Sequence, residues 1–226
     1  MRWSVVVPVK RVERAKTRLA GAVPGNGHEA LVLALAADTV SAVLASAAVA
    51  RVIVVTDDSR AAAELGGLGA LVVPDLPDSG LNPALDHGAA AAAVAGPADG
   101  VAVVGADRPA LRPAELAAVL ALAAAHDRAF LPDTAGTGTA LLTARAGVPL
   151  DPRFGPDSAA AHAASGAVRL SGEWTSLRHD TDTAADLGVA RRLGLGVRTS
   201  AVLAAFGTGE RSGPGSVRDR GAFGTR

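Results

Sequence analysis

Three aspartates of the sequence stand where carboxylates could hold a metal ion. Asp107 lies just past the apolar run Gly100–Val104, and a second acidic segment comes much later in the chain. There Asp180 and Asp182 lie two residues apart, just before a helical pattern. If that segment is extended, both carboxylates point to one face, where like charges repel unless a cation lies between them. Because Mg²⁺ prefers carboxylate oxygens beside phosphates, the spacing predicts a magnesium site.

Each of these aspartates also has a purely structural interpretation. Asp107 could be a turn or cap residue before Pro109, since Asp is common in turns. Asp182 could cap a helix that begins near Ala184, which would leave Asp180 in solvent. The spacing alone leaves both alternatives open.

A basic stretch near the N-terminus could supply the opposite charge. It follows the apolar run Trp3–Val7, which is typical of a buried strand. Glu13 is the one acidic residue within it. The basic residues between Pro8 and Gly21 are Lys10, Arg11, Arg14, Lys16 and Arg18. A basic loop at the end of a strand is suited to phosphates, although runs of charge more often form a solvated face.

Two further patterns could recognise a ligand. Residues 155–158, Gly-Pro-Asp-Ser, are typical of a helix start, whose free N–H groups and Ser158 hydroxyl suit an anion or an ordinary cap. His162, one turn later, is predicted to be structural rather than to contact a ligand. Asn82, at the junction of a loop and a helix, could bind a base or ribose or could cap the helix.

Composition narrows the class of protein. The formal net charge is zero, with 22 basic and 22 acidic residues, so no global field attracts nucleic acid or a membrane. There is no cysteine, which excludes disulfides and Cys-ligated zinc and fits a cytoplasmic enzyme. The N-terminus does not resemble a secretory signal, and no apolar run reaches membrane-span length without Gly, Asp or Pro.

The order of the apolar runs predicts an α/β fold. Continuous β-branched runs alternate with Ala-rich and Leu-rich helical patterns, as in a mostly parallel sheet flanked by helices. The predicted strands are 3–7, 51–56, 70–73, 100–104, 129–131, 140–143, 168–170 and 177–179. The predicted helices are 29–47, 59–65, 84–95, 112–125, 154–164 and 184–193. No Gly-x-Gly-x-x-Gly follows the first strand, so dinucleotide binding is disfavoured.

Ligands of such sheets bind beyond the carboxyl ends of the parallel strands. The loops after the first four strands should therefore share one edge, which would bring the basic stretch close to Asp57, Asn82 and Asp107. Residues 1–206 are predicted to form one domain. Residues 207–226, which are mostly Gly, Ser, Arg and Thr, are predicted to be a disordered tail.

Several motifs, in sequence order, resemble those of one enzyme family. The pattern of residues 8–10 (PVK) and 15–19 (AKTRL) is similar to the N-terminal motif of the CofC/FbiD family. The members of this family are guanylyltransferases of coenzyme F420 biosynthesis. The later matches are LNPA at 81–84, ADRP at 106–109, GTGT at 136–139, FGPDS at 154–158 with His162, and DTDTAADL at 180–187. The chain departs from the family at Ala106, where Gly is usual, and at Ala184, where Pro is usual. The resemblance covers residues 3–195.

The resemblance implies a nucleotidyltransferase fold like that of the molybdenum cofactor guanylyltransferases, with a mixed, mostly parallel sheet. It also implies roles for the matching residues. The triphosphate of GTP would be held by Lys10, Lys16 and Arg18, which would also act in catalysis, and the nucleotide would be contacted by Asn82. The metal ligands would be Asp107, Asp180 and Asp182, with two Mg²⁺ ions.

The acceptor would be a small phosphorylated carboxylic acid. Its phosphate and carboxylate would be bound by Thr139, Gly155 and Ser158. Because the resemblance is closest to the actinobacterial branch, phosphoenolpyruvate is expected before 2-phospho-L-lactate. The product, enolpyruvyl-diphospho-guanosine, would pass to the F420 2-phospho-L-lactate transferase, and a homodimer is also expected. The alternatives are a sugar-phosphate or molybdopterin nucleotidyltransferase and a nucleotide-binding regulator without catalysis.

Overall fold

The computed structural model describes residues 1–11, 19, 22–23 and 27–207 of the 226-residue chain. In this part of the chain, seven strands form a single sheet with helices on both faces. The strands are β1 (Trp3–Pro8), β2 (Val49–Val55), β3 (Leu71–Val73), β4 (Gly100–Val104), β5 (Arg128–Pro132), β6 (Thr139–Arg145) and β7 (Val168–Arg169). The helices are α1 (Gly27–Leu44), α2 (Ser59–Gly67), α3 (Leu81–Val94), α4 (Pro113–Ala123), α5 (Ser158–Ala164), α6 (Thr175–Arg178), α7 (Ala184–Leu193) and α8 (Val197–Gly207).

The sheet is mixed and mostly parallel, as predicted. Its strand order is β3-β2-β1-β4-β6-β5-β7, and β6 runs antiparallel to both of its neighbours. The other pairs are parallel. An antiparallel strand begins where its parallel neighbours end. The first residue of β6, Thr139, therefore lies at the same edge as the carboxyl end of β4.

The core has two apolar layers because the central strand is buried on both faces. Val5 and Val7 of β1 pack with α1 and α4, whereas Val6, which points the other way, packs with α3 and α5. This is the period of two expected for a strand in a two-sided sheet. Many of the helix residues are alanines, so the helices lie close to the sheet.

Helix α1 is the one described helix that is long and apolar enough to cross a membrane by length and composition. It packs instead inside the fold, against β2, α2 and α8. Eleven of its 18 residues are buried. The helix therefore serves as a core element of the domain.

Several boundaries differ from the sequence predictions; helix α5, for example, begins at Ser158 rather than at residue 154. The predicted strand 177–179 is wrong, because this segment belongs to the short helix α6 and the turn after it. Glu115 accounts for the difference, since its carboxylate accepts hydrogen bonds from the Ser176 N–H (2.9 Å) and hydroxyl (2.8 Å). Helix α3 begins at Leu81, three residues earlier than predicted.

Helix α8 was not predicted at all. Its first turn is fixed by a distant side chain: the Asp38 carboxylate accepts from the N–H groups of Arg198 (3.1 Å) and Thr199 (2.7 Å). Gly196 makes this approach feasible, because a Cβ there would lie 2.6 Å from an Asp38 carboxylate oxygen. Apart from Gly207, the last residue of α8, the predicted tail lies outside the described residues.

The close approach of α3 to the sheet depends on Gly88. A Cβ at this position would lie 2.6 Å from a methyl group of Val6 and 2.8 Å from one of Val55. We therefore expect Gly88→Ala to lower the free energy of unfolding by about 1–3 kcal/mol. Urea denaturation followed by circular dichroism would measure it.

Gly67→Ala is the matched control, because a Cβ there has no heavy atom within 4 Å. Alanine at this last position of α2 should be neutral or stabilise by up to about 1 kcal/mol. Equal losses in both variants would show that the packing of α3 is not limited by Gly88.

Candidate active site

The carboxyl ends of the first three strands meet at one edge of the sheet. The Val9 N–H donates to the Val55 carbonyl (2.9 Å), so the chain leaves β1 directly beside β2. There the Arg11 guanidinium lies 4.0 Å from the Asp57 carboxylate. The first residues of the basic stretch and Asp57 thus share this edge, as predicted. Lys10 is exposed at the same place, whereas the predicted triphosphate ligands Lys16 and Arg18 lie outside the described residues.

The two acidic segments are joined by a backbone hydrogen bond. The Thr181 N–H donates to the Asp107 carbonyl at 3.0 Å. Asp107 directly follows the loop that leaves β4, so this bond brings the segment 180–182 to the carboxyl edge of the sheet. Thr181 is fully buried, Asp180 is half-buried and Asp182 is exposed. The structure thus brings the backbones of Asp107 and of the segment 180–182 together, and their role as metal ligands stays a prediction.

A buried arginine neutralises part of this acidic charge. Arg108 is 5% exposed, and its guanidinium forms an ion pair with the Asp107 carboxylate. Its Nε donates to the Leu177 carbonyl at 2.8 Å, which ties the pair to α6. Gly105 leaves room for the pair, because a Cβ there would lie only 2.9 Å from an Asp107 carboxylate oxygen. Arg108 was not singled out from the sequence.

The environment of Asp180 disfavours the ionised form of its carboxyl group, so its pKa is raised. Burial is the main cause that raises its pKa above the ordinary aspartate value. The carboxylates of Asp107 and Asp182 raise the pKa further, while the Arg108 guanidinium lowers it. Asp107 and Asp182 are therefore both near enough to repel the Asp180 carboxylate, and Arg108 only partly compensates.

Asp182 does not cap the following helix. The N-cap of α7 is Thr183, whose side chain accepts from the Asp186 N–H, while the Asp186 carboxylate accepts from the Thr183 N–H at 2.9 Å. The capping alternative for Asp182 is thus wrong, because this reciprocal pair satisfies the helix start without it. The Asp182 carboxylate is at the surface, next to the acidic edge.

The donor set at this edge fits a magnesium ion. Within the described ranges, no three His, Cys, Asp or Glu side chains are grouped as a complete protein site. Mg²⁺, however, is usually bound through one or two carboxylates together with substrate phosphates, and it keeps several waters. The carboxylates of Asp107 and Asp182, which raise the pKa of Asp180, suit such a partly built site, since a cation relieves the repulsion.

Asn82 connects two parts of the edge. Its side-chain N–H donates to the Phe154 carbonyl (3.1 Å), and its side-chain oxygen accepts from the Phe154 N–H (2.8 Å). Asn82 lies inside α3, whose N-cap is Gly80, so the capping alternative is wrong. Contact with the nucleotide stays a prediction for this residue. What the amide does in the structure is hold the loop before α5 against α3.

Two side chains predicted to bind the acceptor, those of Thr139 and Ser158, lie together beside His162. The hydroxyl oxygens of Thr139 and Ser158 are 3.2 Å apart, and Thr139 Oγ1 lies 2.9 Å from Nδ1 of His162. Gly155 precedes them with φ of 146°, a conformation that requires glycine. His162 is fully buried, in agreement with its predicted structural character.

The helix start itself is less open than predicted. Helix α5 has only seven residues, and its Ala159 N–H donates to the Thr137 carbonyl at 2.9 Å. That N–H group is therefore not free for an anion. The side-chain groups beside this helix start that can still donate to an anion are the hydroxyls of Thr139 and Ser158.

Arg178 is a second arginine that was not singled out from the sequence. It holds the segment that carries Asp180 and Asp182 against the end of β5. The Arg178 guanidinium donates to the carbonyls of Pro132 (3.2 Å), Asp133 (2.9 Å) and Gly172 (3.3 Å). It therefore fastens α6, and with it the segment 180–182, to the end of β5. All three targets are backbone carbonyls, for which the sequence carries no signal.

Comparison with known proteins places the chain in a family. Residues 3–164 match the family described as "Guanylyl transferase CofC like". A phosphoenolpyruvate guanylyltransferase of Salinispora arenicola is 62% identical over 200 residues, which are 88% of this chain and 92% of the relative. Another from Thermomonospora curvata is 56% identical over 220 residues, which cover 97% of this chain and 95% of the relative.

Solved structures agree on the fold. A nucleotide-diphospho-sugar transferase from Desulfovibrio desulfuricans aligns with a TM-score of 0.67 at 18% identity, covering 92% of this chain and 96% of the other. A nucleotidyl transferase from Methanothermobacter aligns with a TM-score of 0.55 at 22% identity, covering 85% of this chain and 97% of the other. The sheet is therefore a nucleotidyltransferase fold. With the family match over most of the sequence, the chain belongs to the CofC-like guanylyl transferases.

Proposed function

We propose that the protein transfers GMP from GTP to phosphoenolpyruvate, releasing pyrophosphate and giving enolpyruvyl-diphospho-guanosine for coenzyme F420 biosynthesis. The observation that carries this proposal is the identity of 62% with a relative named phosphoenolpyruvate guanylyltransferase. The geometry supports it, since an acidic cluster and a cluster of hydroxyl groups lie at one edge of the sheet. That arrangement suits a reaction between two phosphorylated substrates.

The reaction requires positioning and charge neutralisation rather than a protein base. A phosphate oxygen of the acceptor attacks the α-phosphorus of GTP, and the bond to the β-phosphate oxygen breaks as pyrophosphate leaves with the electron pair. The acceptor phosphate is already a nucleophile when ionised, so no side chain has to remove a proton. Lys10, Lys16 and Arg18 would neutralise the charge that grows on the leaving group.

Asp107, Asp180 and Asp182 would hold magnesium, with two ions expected. Bound there, the metal would neutralise phosphate charge and bring the two anionic substrates together. The support is the raised pKa of Asp180, which comes mainly from burial and further from the carboxylates of Asp107 and Asp182. Arg108 would hold Asp107 and the Leu177 carbonyl in place on either side of the site.

The acceptor would bind at Thr139, Gly155 and Ser158. Its ionised phosphate and carboxylate offer only hydrogen-bond acceptors, and the two hydroxyl groups can donate. Phosphoenolpyruvate and 2-phospho-L-lactate differ little in shape. Differences of this size are worth about 1–3 kcal/mol, so 2-phospho-L-lactate is the second candidate.

The wider setting follows from the same proposal. We expect a cytoplasmic enzyme, in line with the absence of cysteine from the sequence. The activated enol ester should be passed directly to the F420 2-phospho-L-lactate transferase, and a homodimer is expected. Domain 1–206 would carry the activity and 207–226 would be a tail. A sugar-phosphate or molybdopterin nucleotidyltransferase is not favoured by the relatives' names.

The activity is tested by incubating the protein with Mg²⁺, each of four nucleoside triphosphates and each phospho-acid, together with the partner transferase and its deazaflavin acceptor. We expect pyrophosphate release and product formation with GTP and phosphoenolpyruvate, identified by mass spectrometry. Product from 2-phospho-L-lactate alone would reverse the choice of acceptor. No product from either acid would contradict the proposed function.

A second prediction concerns Asp180. Its pKa is raised in the folded protein, so the folded state binds the proton more tightly than the unfolded chain does. Stability due to this group is therefore lost as pH rises through and above the ordinary aspartate range. Asp180→Asn should raise the melting temperature of the ligand-free protein at pH 7, with the gain disappearing towards pH 3.

Magnesium should also stabilise the wild-type protein in the same measurement, through the Asp180 carboxylate that the variant lacks. We expect Mg²⁺ to raise the melting temperature of the wild-type protein at pH 7 and to have little effect on Asp180→Asn. Asp127→Asn is the control, because Asp127 is exposed and its side chain lies 3.7 Å from that of Arg145, away from this edge. A magnesium shift retained in full by Asp180→Asn would remove Asp180 from the metal site.

A further inference from the structure

The buried His162 uses both of its ring nitrogens. Nε2 accepts a hydrogen bond from the Arg153 backbone N–H at 2.9 Å, and Nδ1 lies 2.9 Å from Thr139 Oγ1. The rings of Phe154 and Phe130 pack against the imidazole, with centroids 5.0 Å and 5.9 Å away. The ring is therefore held in one orientation by contacts on several sides.

These contacts determine which nitrogen carries the proton. A backbone N–H can only donate, so Nε2 must present its lone pair to Arg153. A neutral imidazole then has its proton on Nδ1, which donates to the Thr139 oxygen. Burial lowers the pKa of His162 to about 4; Arg128 and Arg153 lower it as well, while Asp151 and the Ser158 backbone oppose them. The ring is thus neutral near pH 7.

The tautomer gives the neighbouring hydroxyl pair a direction. Thr139 and Ser158 together have two hydroxyl hydrogens, and one of these joins the two oxygens across 3.2 Å. Because the Thr139 oxygen already receives the Nδ1–H, its own hydrogen is not needed on the ring. One hydroxyl hydrogen of the pair therefore remains for an outside acceptor. With the opposite tautomer, Thr139 would donate to Nδ1 and the pair would lose that donor.

We propose that His162 is a positioning residue, which fixes the hydroxyl pair of Thr139 and Ser158 as a hydrogen-bond donor to the anionic acceptor. The inference rests on the proposed function for the identity of that acceptor, a phosphorylated carboxylic acid. An ionised phosphate or carboxylate has no hydrogen to give, so a donor is favourable and a lone pair is repulsive. His162 acts through Thr139 and does not touch the substrate.

Two substitutions of His162 distinguish the hydrogen bond made by Nδ1 from the one made by Nε2. In His162→Asn the side-chain amide can take the place of Nδ1 and donate to Thr139, but it cannot reach Arg153. In His162→Gln the amide oxygen can take the place of Nε2 and accept from the Arg153 N–H, but nothing replaces the Nδ1–H. The two variants have similar polarity, and their melting temperatures establish that both fold.

We expect His162→Gln to raise the KM for phosphoenolpyruvate about tenfold or more, as for loss of a hydrogen bond to a charged group. Its KM for GTP should change less than about threefold. His162→Asn should show a clearly smaller rise in the acceptor KM. Thr139→Val should match His162→Gln, and the double variant should be no worse than Thr139→Val alone, because both changes remove one donor.

Equal effects of Asn and Gln on the acceptor KM, or equal effects on both substrates, would overturn the inference while leaving the proposed function intact. A wild-type protein that does not use the acid would overturn the proposed function, and this inference with it. Nitrogen-15 NMR of the ligand-free wild-type protein gives an independent readout. We expect Nδ1 of His162 protonated and Nε2 unprotonated at pH 7, and the reverse assignment would refute the mechanism.

Discussion

A buried guanidinium paired with Asp107 is the interaction on which the acidic edge of the sheet depends. Burial is the main cost of charging Asp180, and the carboxylates of Asp107 and Asp182 add to it. Arg108, which is 5% exposed, pairs with Asp107 and also donates to the Leu177 carbonyl. This one cation therefore both offsets negative charge and holds in place the chain that leads to the second acidic segment. Without Arg108, Asp107 would lose its buried ion-pair partner.

The other cluster at this edge is organised without net charge. Its hydroxyl and imidazole groups are joined by neutral hydrogen bonds, and the loop before α5 is held by Asn82 and by the ring of His162. The contrast between the acidic cluster and this neutral cluster matches the chemistry proposed for each: metal binding at the first and acceptor binding at the second. Acidic groups that are short of positive charge favour a metal ion, whereas a neutral set of donors favours an anion. The mixed sheet brings both to one edge, because β6 begins where β4 ends.

The sequence was sufficient for most of the strands, whereas Asp107 was grouped with Asp180 and Asp182 through the resemblance to the family. Continuous β-branched runs identify buried strands, and the topology of parallel sheets decides which loops share an edge. The segment 177–179 was predicted wrongly as a strand, because a tertiary contact, that of Ser176 with Glu115, fixes a helical turn there.

The remaining features depend on contacts between residues far apart in sequence. The start of α8 is capped by Asp38, about 160 positions earlier, so no local signal announces it. Arg108 and Arg178 bind backbone carbonyls, whose positions only the folded chain defines. The role of His162 depends on which nitrogen meets the Arg153 N–H, a detail that spacing cannot give.

The dependence of the acidic edge on Arg108 is tested most directly by a double-mutant cycle with Arg108→Met and Asp107→Asn, measured by urea denaturation at pH 7. Arg108→Met alone should lower the free energy of unfolding by about 3–5 kcal/mol, because it removes the buried ion-pair partner of Asp107 and a positive charge that favours ionised Asp180. In Asp107→Asn the same change should cost less, giving a coupling of about 1–3 kcal/mol. The exposed pair Arg60–Glu29, 2.8 Å apart, is the control and should couple by less than about 1 kcal/mol. A coupling between Arg108 and Asp107 no larger than that of the control pair would contradict the role given to the buried arginine.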